Sequence, residues 1–161
     1  MENIEFSQIR LSVVQDSSLW HKTGRFSTYG DELFKLKNRK GHEFCLSATC
    51  EELITSIVKK FYNNTNMDLH VYQFGNKYRD ELRVKAGLMR SKEFVMKDAY
   101  SFCSNSYDID FMYQTVRNAY CNIFNKLGID FQIKSSDNGE IGGKSSEEFH
   151  TNSIYGDDSC S

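Results

Sequence analysis

The spacing of hydrophobic and polar positions changes period several times along the chain, and each change marks an element. Glu32-Leu33-Phe34-Lys35-Leu36-Lys37 alternates, turns at Asn38-Arg39-Lys40-Gly41 and returns through His42-Glu43-Phe44-Cys45-Leu46, which is a β-hairpin pattern. Upstream, Ser12–Gly30 is polar, and Asp16 and Ser17 stand where a cap would open a short helix carrying Leu19 and Trp20. Beyond the hairpin, Leu53, Ile54, Ile57, Val58 and Phe61 recur at helical spacing. Thr49 is placed to cap that helix, with Glu52 three residues on as in a capping box, and Asn63–Asn66 to end it. Leu69–Tyr78 and Glu93–Phe102 are aromatic-rich and strand-like. The charged loop Asp80–Arg90 between them, with Gly87 available for a turn, predicts an antiparallel pair. Asp108–Leu127 reads as a helix with Met112, Val116, Ala119, Ile123 and Leu127 on one stripe and Gly128 as its C-cap. A short strand over Asp130–Lys134 follows, and 135–161 lacks periodicity and is expected to be irregular. The order predicts an α+β fold, an antiparallel sheet with flanking helices, rather than a doubly wound parallel one.

Composition narrows the class. The 161 residues are 39% hydrophobic and 14% aromatic, enough to build a core and exclude global disorder. Lys+Arg 20 against Asp+Glu 22 leaves a net charge of −2, which is no basic footprint for bulk nucleic-acid binding. No apolar run approaches the roughly 18 residues of a spanning helix, and the charged opening does not read as a signal peptide, so no membrane is expected. The five cysteines form no Cys-x-x-Cys pair, which suits a reducing compartment (cytoplasm or an organelle matrix) and offers no zinc spacing. Proline is absent. At about 5% per position, chance gives that on the order of once in 4,000 chains of this length.

Candidate chemistry concentrates around the charged loop. Gly142-Gly143-Lys144-Ser145 tempts a phosphate-loop reading, but the required upstream glycine position is Asn138 and no apolar helix follows. More informative are Arg79 and Glu81, two apart on a predicted strand and so on one face, and Arg90 and Phe94, four apart at the start of the return strand. Guanidinium forks match phosphate oxygens, a carboxylate accepts from an exocyclic amine, and a ring stacks on a base. The same residues also suit a solvated hairpin face laced with cross-strand ion pairs.

Arg79-x-Glu81, a loop, then Arg90-x-x-x-Phe94 resembles motif 2 of class II aminoacyl-tRNA synthetases. The wider text TGRFSTYGDELFKLKNRKGHEF, LSATCEE, YRDELRVKAGLMRSKEFVMKDAYSF and GEIGGKSSEEF is similar, in that order, to prolyl-tRNA synthetases of the bacterial and organellar type. The resemblance runs from about Ser12 to Asp158 and implies ATP-dependent ligation of L-proline to tRNA(Pro) through a prolyl-adenylate. It implies that Arg79, as the catalytic residue, holds the ATP α-phosphate and the proline carboxylate. Glu81 would accept from the adenine amine, Arg90 would reach the outer phosphates, and Phe94 would stack on adenine. A Thr-x-Glu element that recognises proline in this family reads here as Thr49-Cys50-Glu51, with Glu51 set for the secondary ammonium. ATP with Mg²⁺, L-proline and tRNA(Pro) are the implied cofactors and partners, and a homodimer is implied for the full-length enzyme. Thr49 and Glu51 also read as cap and first-turn charge of a helix, and both roles can hold together because a helix N-terminus is a ready place for site residues.

The chain departs from the family at several places. Ser47-Ala48-Thr49-Cys50-Glu51-Glu52 stands where the family reads G-P-T-H-E-E, Arg83–Gly87 where it reads R-P-R-F-G, and Glu147 where a His is usual. Motif 3, an editing domain and an anticodon-binding domain are not seen, so 1–161 is expected to be an N-terminal portion of a class II catalytic domain, with 135–161 leading toward an insertion. Two other readings stay open: a synthetase-like ATP-binding or regulatory module without ligase activity, and an inert scaffold that keeps only the fold. Cys50 reads as a small semi-buried residue rather than a reactive thiol.

Overall fold

The computed structural model describes residues 1–62, 68–85, 87, 89–139 and 142–156. The chain forms two compact units, Met1–Asp110 and Phe111–Ser161. In the first, β1 (Ser7–Gln8), β5 (Leu69–Tyr78) and β6 (Glu93–Phe102) make one sheet in the order β1-β5-β6. β2 (Val14–Asp16), β3 (Lys35–Lys37) and β4 (Glu43–Leu46) make another, in the order β2-β4-β3. Helices α1 (Ser17–Thr23), α2 (Arg25–Thr28) and α3 (Glu51–Tyr62) belong to the same unit. The α+β reading holds, and so do the two long strands, residue for residue.

The β3–β4 hairpin forms where the alternation placed it. Asn38 Oδ1 accepts from the amides of Lys40 and His42 at 2.8 and 3.0 Å, and Gly41 takes φ 80°, the left-handed value the turn needs. Asp16 caps α1 by accepting from Ser18 N at 2.8 Å. Leu19 and Trp20 then face the core, where Trp20, Leu33, Cys45 and Ala48 are buried together. Trp20 donates its indole N–H to Gln15 Oε1 at 2.8 Å, so the core's largest side chain is fixed in orientation as well as depth.

Four expectations need correction. The sheet with β5 is not wholly antiparallel, because β1 joins it in parallel through Ser7↔Val71 and Gln8↔Tyr72. A two-residue strand shows no period, so pattern reading passed over it. The α3 helix opens at Glu51, not behind a Thr49 cap: Cys50 O accepts the Ile54 amide, and Glu52 turns to Arg25 and Thr23 instead of closing a capping box. The expected helix end at Asn63–Asn66 lies outside the described residues.

The third and fourth corrections fall mainly in the second unit, which holds most of α4 (Ser106–Lys126) with β7 (Gln132–Ser135) and β8 (Glu147–His150). The tail is not wholly irregular: β7 and β8 pair antiparallel, Ile133 opposite Phe149. The turn between them holds the glycines of the phosphate-loop decoy, with Asn138 Nδ2 donating to Gly143 O at 2.7 Å. On α4, Asn105 accepts from the Asp108 amide at 3.0 Å at the start and Gly128 ends it at φ 68°. Its expected stripe is only partly inward, since Ile123 and Leu127 are exposed. Tyr120 and Phe124 pack on Phe149 instead, with Phe131 closing the aromatic cluster. Aromatic rings one step round the helix reach the β7–β8 pair better than the aliphatic stripe does.

Candidate functional site

Strand β5 is paired on both sides, by β1 and β6, and its alternation sorts side chains between two faces. Gln73, Lys77 and, one step past the strand end, Arg79 follow the same parity. Their partners across the sheet are Asp98 opposite Gln73 and Phe94 opposite Lys77. Arg79, Glu81, Met89, Arg90, Ser91 and Phe94 line a cavity of about 350 Å³. All four residues expected to serve ATP therefore meet around one space.

They meet by a different route from the one the spacing suggested. β5 ends at Tyr78, and Glu81 N donates back to Arg79 O at 2.8 Å, so Glu81 lies in a tight turn rather than on a strand. β6 begins only at Glu93, and Arg90 is held by a bridge to Lys85, with amide bonds of 3.0 and 3.1 Å in the two directions. Gly87 at φ 66° turns the tip. The base of the loop is tied by Arg79 N to Lys92 O at 3.0 Å, by Asp80 N to Glu32 O at 2.8 Å, and by the Lys92–Asp80 ion pair.

Arg79 is half-buried, its guanidinium carbon 5.4 Å from the centre of the Phe94 ring. Its Nη2 donates to Ala48 O at 3.4 Å, while its Nε is buried with no hydrogen-bond partner among the described residues. An orphaned guanidinium donor is costly unless something arrives to accept from it. Through Ala48, Arg79 also touches the second expected element. The Ser47–Thr49 segment docks on the end of β5, where Tyr78 N donates to Ser47 O at 2.9 Å.

Thr49 is buried, and its hydroxyl donates to Glu51 Oε2. Thr49 and Glu51 do not line the 350 Å³ cavity but stand beside it, joined by the Ala48 contact. Arg25 Nη1 lies 3.6 Å from Glu51 Oε2 and 2.7 Å from Glu52 Oε1. The Arg25–Glu52 pair is deeply buried, yet Arg25 Nε, Arg25 Nη2 and Glu52 Oε2 have no partner among the described residues. Cys50 is 1% exposed, and burial pushes its thiol pKa up, which agrees with a packed residue rather than a nucleophile.

Sequence reasoning missed the polar floor beneath this element. Cys50 Sγ accepts from Gln73 Nε2 at 3.3 Å. Gln73 Nε2 and Lys77 Nζ both donate to the Asp98 carboxylate at 2.9 Å, and Tyr100 Oη donates to it as well. Burial, then that hydrogen bond, push the Tyr100 hydroxyl far above the usual phenol range. Gln15 Nε2 reaches Thr49 O at 3.0 Å and so links Trp20 to the Thr49-Cys50-Glu51 turn. The available signal was a buried-face Lys at the same parity as Gln73 on a strand otherwise rich in aromatics. Glu147, the departure from the usual His, belongs to the second unit, where it accepts from Arg117 Nε at 3.0 Å.

Residues 34–155 match the profile of the tRNA synthetase class II core domain (G, H, P, S and T). The chain belongs to this family. Two proteins named proline–tRNA ligase, from two strains of Acidithiobacillus ferrooxidans, are 40% identical to this class II core domain over 159 residues, which is 98% of the chain. The chain spans 28% of the length of those relatives. Among solved structures, the RNA binding domain of threonyl-tRNA synthetase from Cryptosporidium parvum Iowa II superposes with a TM-score of 0.72 at 20% identity, covering 82% of this chain and 33% of that one. That likeness concerns the fold.

Proposed function

We propose that this class II core segment serves amino-acid activation in a proline–tRNA ligase, binding ATP, in its Mg²⁺ complex, and L-proline as a step toward prolyl-tRNA(Pro). The observation that carries the reading is Arg79, whose buried Nε has no hydrogen-bond partner among the described residues and which lines a cavity with Arg90, Glu81 and Phe94. Two arginines lining one cavity supply guanidinium forks that match the oxygens of a triphosphate.

In this reading the proline carboxylate attacks the α-phosphorus and pyrophosphate leaves. Arg79 bridges the carboxylate and the α-phosphate, which aligns the reacting oxygens and offsets the charge that builds during transfer. Arg90 draws off charge at the outer phosphates. Glu81 accepts from the adenine amine, and the base stacks on the Phe94 ring. Glu51 pairs with the secondary ammonium, with Thr49 fixing its carboxylate through their hydrogen bond. The buried floor of Gln73, Lys77 and Asp98 holds Cys50, and hence the Thr49–Glu51 turn, at a set height. No protein nucleophile is needed. The catalysis is positioning and charge neutralisation.

Calorimetric titration with ATP, with L-proline and with a non-hydrolysable prolyl-adenylate analogue tests binding, and ATP–pyrophosphate exchange with each of the twenty amino acids tests chemistry. Binding of the analogue and exchange with proline alone support the reading; no binding of any of the three refutes it. ATP binding without exchange supports a nucleotide-binding module instead.

A further inference from the structure

The β5–β6 hairpin carries a second constellation at its other end and on its other face. Leu69 lies opposite Phe102, so Asp68 and Cys103 follow one step beyond that pair, and His70 shares the parity of Asp68. A carboxylate oxygen of Asp68, a ring nitrogen of His70 and Cys103 Sγ all lie within 4.8 Å of one another. Arg79 is nine residues further on, roughly 30 Å along an extended strand. The cluster therefore stands apart from the ATP cavity.

A separate observation points to a ligand here. His70 Nδ1 is buried and has no hydrogen-bond partner among the described residues. A buried ring nitrogen without a partner is unfavourable in either tautomer. The surroundings hold the groups in place from behind. Ser104 N donates to Asp68 Oδ1 at 2.8 Å, and the Phe6 ring packs on His70 with centroids 5.3 Å apart. An amide fixing a carboxylate and a ring fixing an imidazole are the kind of outer support that orients metal ligands.

We propose that Asp68, His70 and Cys103 bind a divalent transition-metal ion, Zn²⁺ by preference, with the fourth position left to water or another donor. The donor set is O, N and S, and the thiolate selects against Mg²⁺ and Ca²⁺. Bonds of ~2.0–2.3 Å in a tetrahedron set ligand atoms roughly 3.3–3.8 Å apart, so the cluster has to close by no more than about 1.5 Å. Binding forms three ligand bonds, and the Cys103 thiol gives its proton to solvent. The carboxylate and thiolate then balance the two positive charges of the ion. Placed where β5 begins and β6 ends, the ion ties the two strand ends together. No metal motif appeared in the sequence because strand pairing, not local spacing, brings Cys103 back to residues more than thirty positions earlier.

Cobalt reports on this site directly. Titrating the purified chain with Co²⁺ should produce thiolate-to-cobalt charge-transfer absorption that saturates at one equivalent and disappears on adding Zn²⁺. Cys103→Ser should abolish the band, and His70→Ala should weaken cobalt binding at least tenfold, with far-ultraviolet circular dichroism checking the fold of each variant. A band that persists in Cys103→Ser, or none in the unsubstituted chain, overturns the proposal. A variant-free test uses iodoacetamide and mass spectrometry: Zn²⁺ should protect Cys103 while Cys121 labels as before. Equal labelling of Cys103 with and without Zn²⁺ overturns it too.

Discussion

Glu52→Gln probes the buried ion pair that steadies the Thr49-Cys50-Glu51 turn. Glu52 and Arg25 are 6% and 8% exposed, and their charged atoms lie 2.7 Å apart. Removing one charge from such a pair leaves the other buried, at a cost of about 3–5 kcal/mol. Two features put this case near ~3 kcal/mol, the low end of that range. The glutamine carbonyl can still accept from Arg25, and Glu51 waits 3.6 Å away with part of its side chain in solvent. For a chain of this size each kcal/mol moves the midpoint by roughly 2–4 °C, so a fall of about 6–12 °C is expected. The chain's single Trp, Trp20, lies 5.2 Å from the Arg25 guanidinium, so its fluorescence reports local unfolding beside the pair. The double replacement Arg25→Met with Glu52→Met should recover most of the loss, because an apolar pair leaves no uncompensated charge. A drop below about 1 kcal/mol in Glu52→Gln would refute the reasoning and mean that water already solvates the pair.

Arg79→Ala should abolish ATP affinity yet lower stability by only about 1 kcal/mol, since it gives up one 3.4 Å hydrogen bond and one ring contact; Arg79→Lys should rescue binding poorly, as an ammonium cannot make the bidentate contact. Glu51→Gln should weaken proline binding at least tenfold in calorimetry, while its first-turn charge contributes under ~1 kcal/mol to α3. Val84→Pro, at an exposed loop position, should raise the midpoint by the equivalent of ~0.4–1 kcal/mol. Asp68→Pro should lower the midpoint despite the same entropic gain, because it deletes the acceptor for Ser104 N. Cys45 and Cys50 should resist iodoacetamide at pH 8, because burial raises both thiols, Cys45 from 9.0 to about 12. The same shift makes Cys45 a source of alkaline sensitivity: its contribution is complete below about pH 9 and is lost as pH rises toward 12.

Long-period features were legible from the sequence and short ones were not. β5 and β6 announced themselves because ten residues of aromatic alternation leave no competing period. β1, with two residues, has no period to read, and β8 hides among Ser and Glu until Phe131 and Phe149 are seen to share one cluster with α4. The chemistry of Arg79, Glu81, Arg90 and Phe94 was visible as residue types at a recognisable spacing. Their assembly was not, because Glu81 enters the cavity through a tight turn and Arg90 through a bridge to Lys85. Thr49 satisfied the local rules for a cap, but Glu52 found a buried guanidinium, and tertiary pairing outweighed the local option. The Gln73–Lys77–Asp98 floor needed the register between two strands, which no single stretch contains.

The two faces of the β5–β6 hairpin also constrain how its gene can change length. Arg79, Lys77 and Gln73 occupy one parity of β5, and His70 and Asp68 the other. A one-residue insertion or deletion within β5 would reverse the parity of one end of the strand relative to the other, so the two clusters could no longer both keep their partners on β6. Gly87 is exposed and turns at a positive φ, and insertions beside it would lengthen a tip without touching the strands. Drift in length should therefore collect at the tip and spare the strands, where only paired, even-numbered changes keep every side chain on its side.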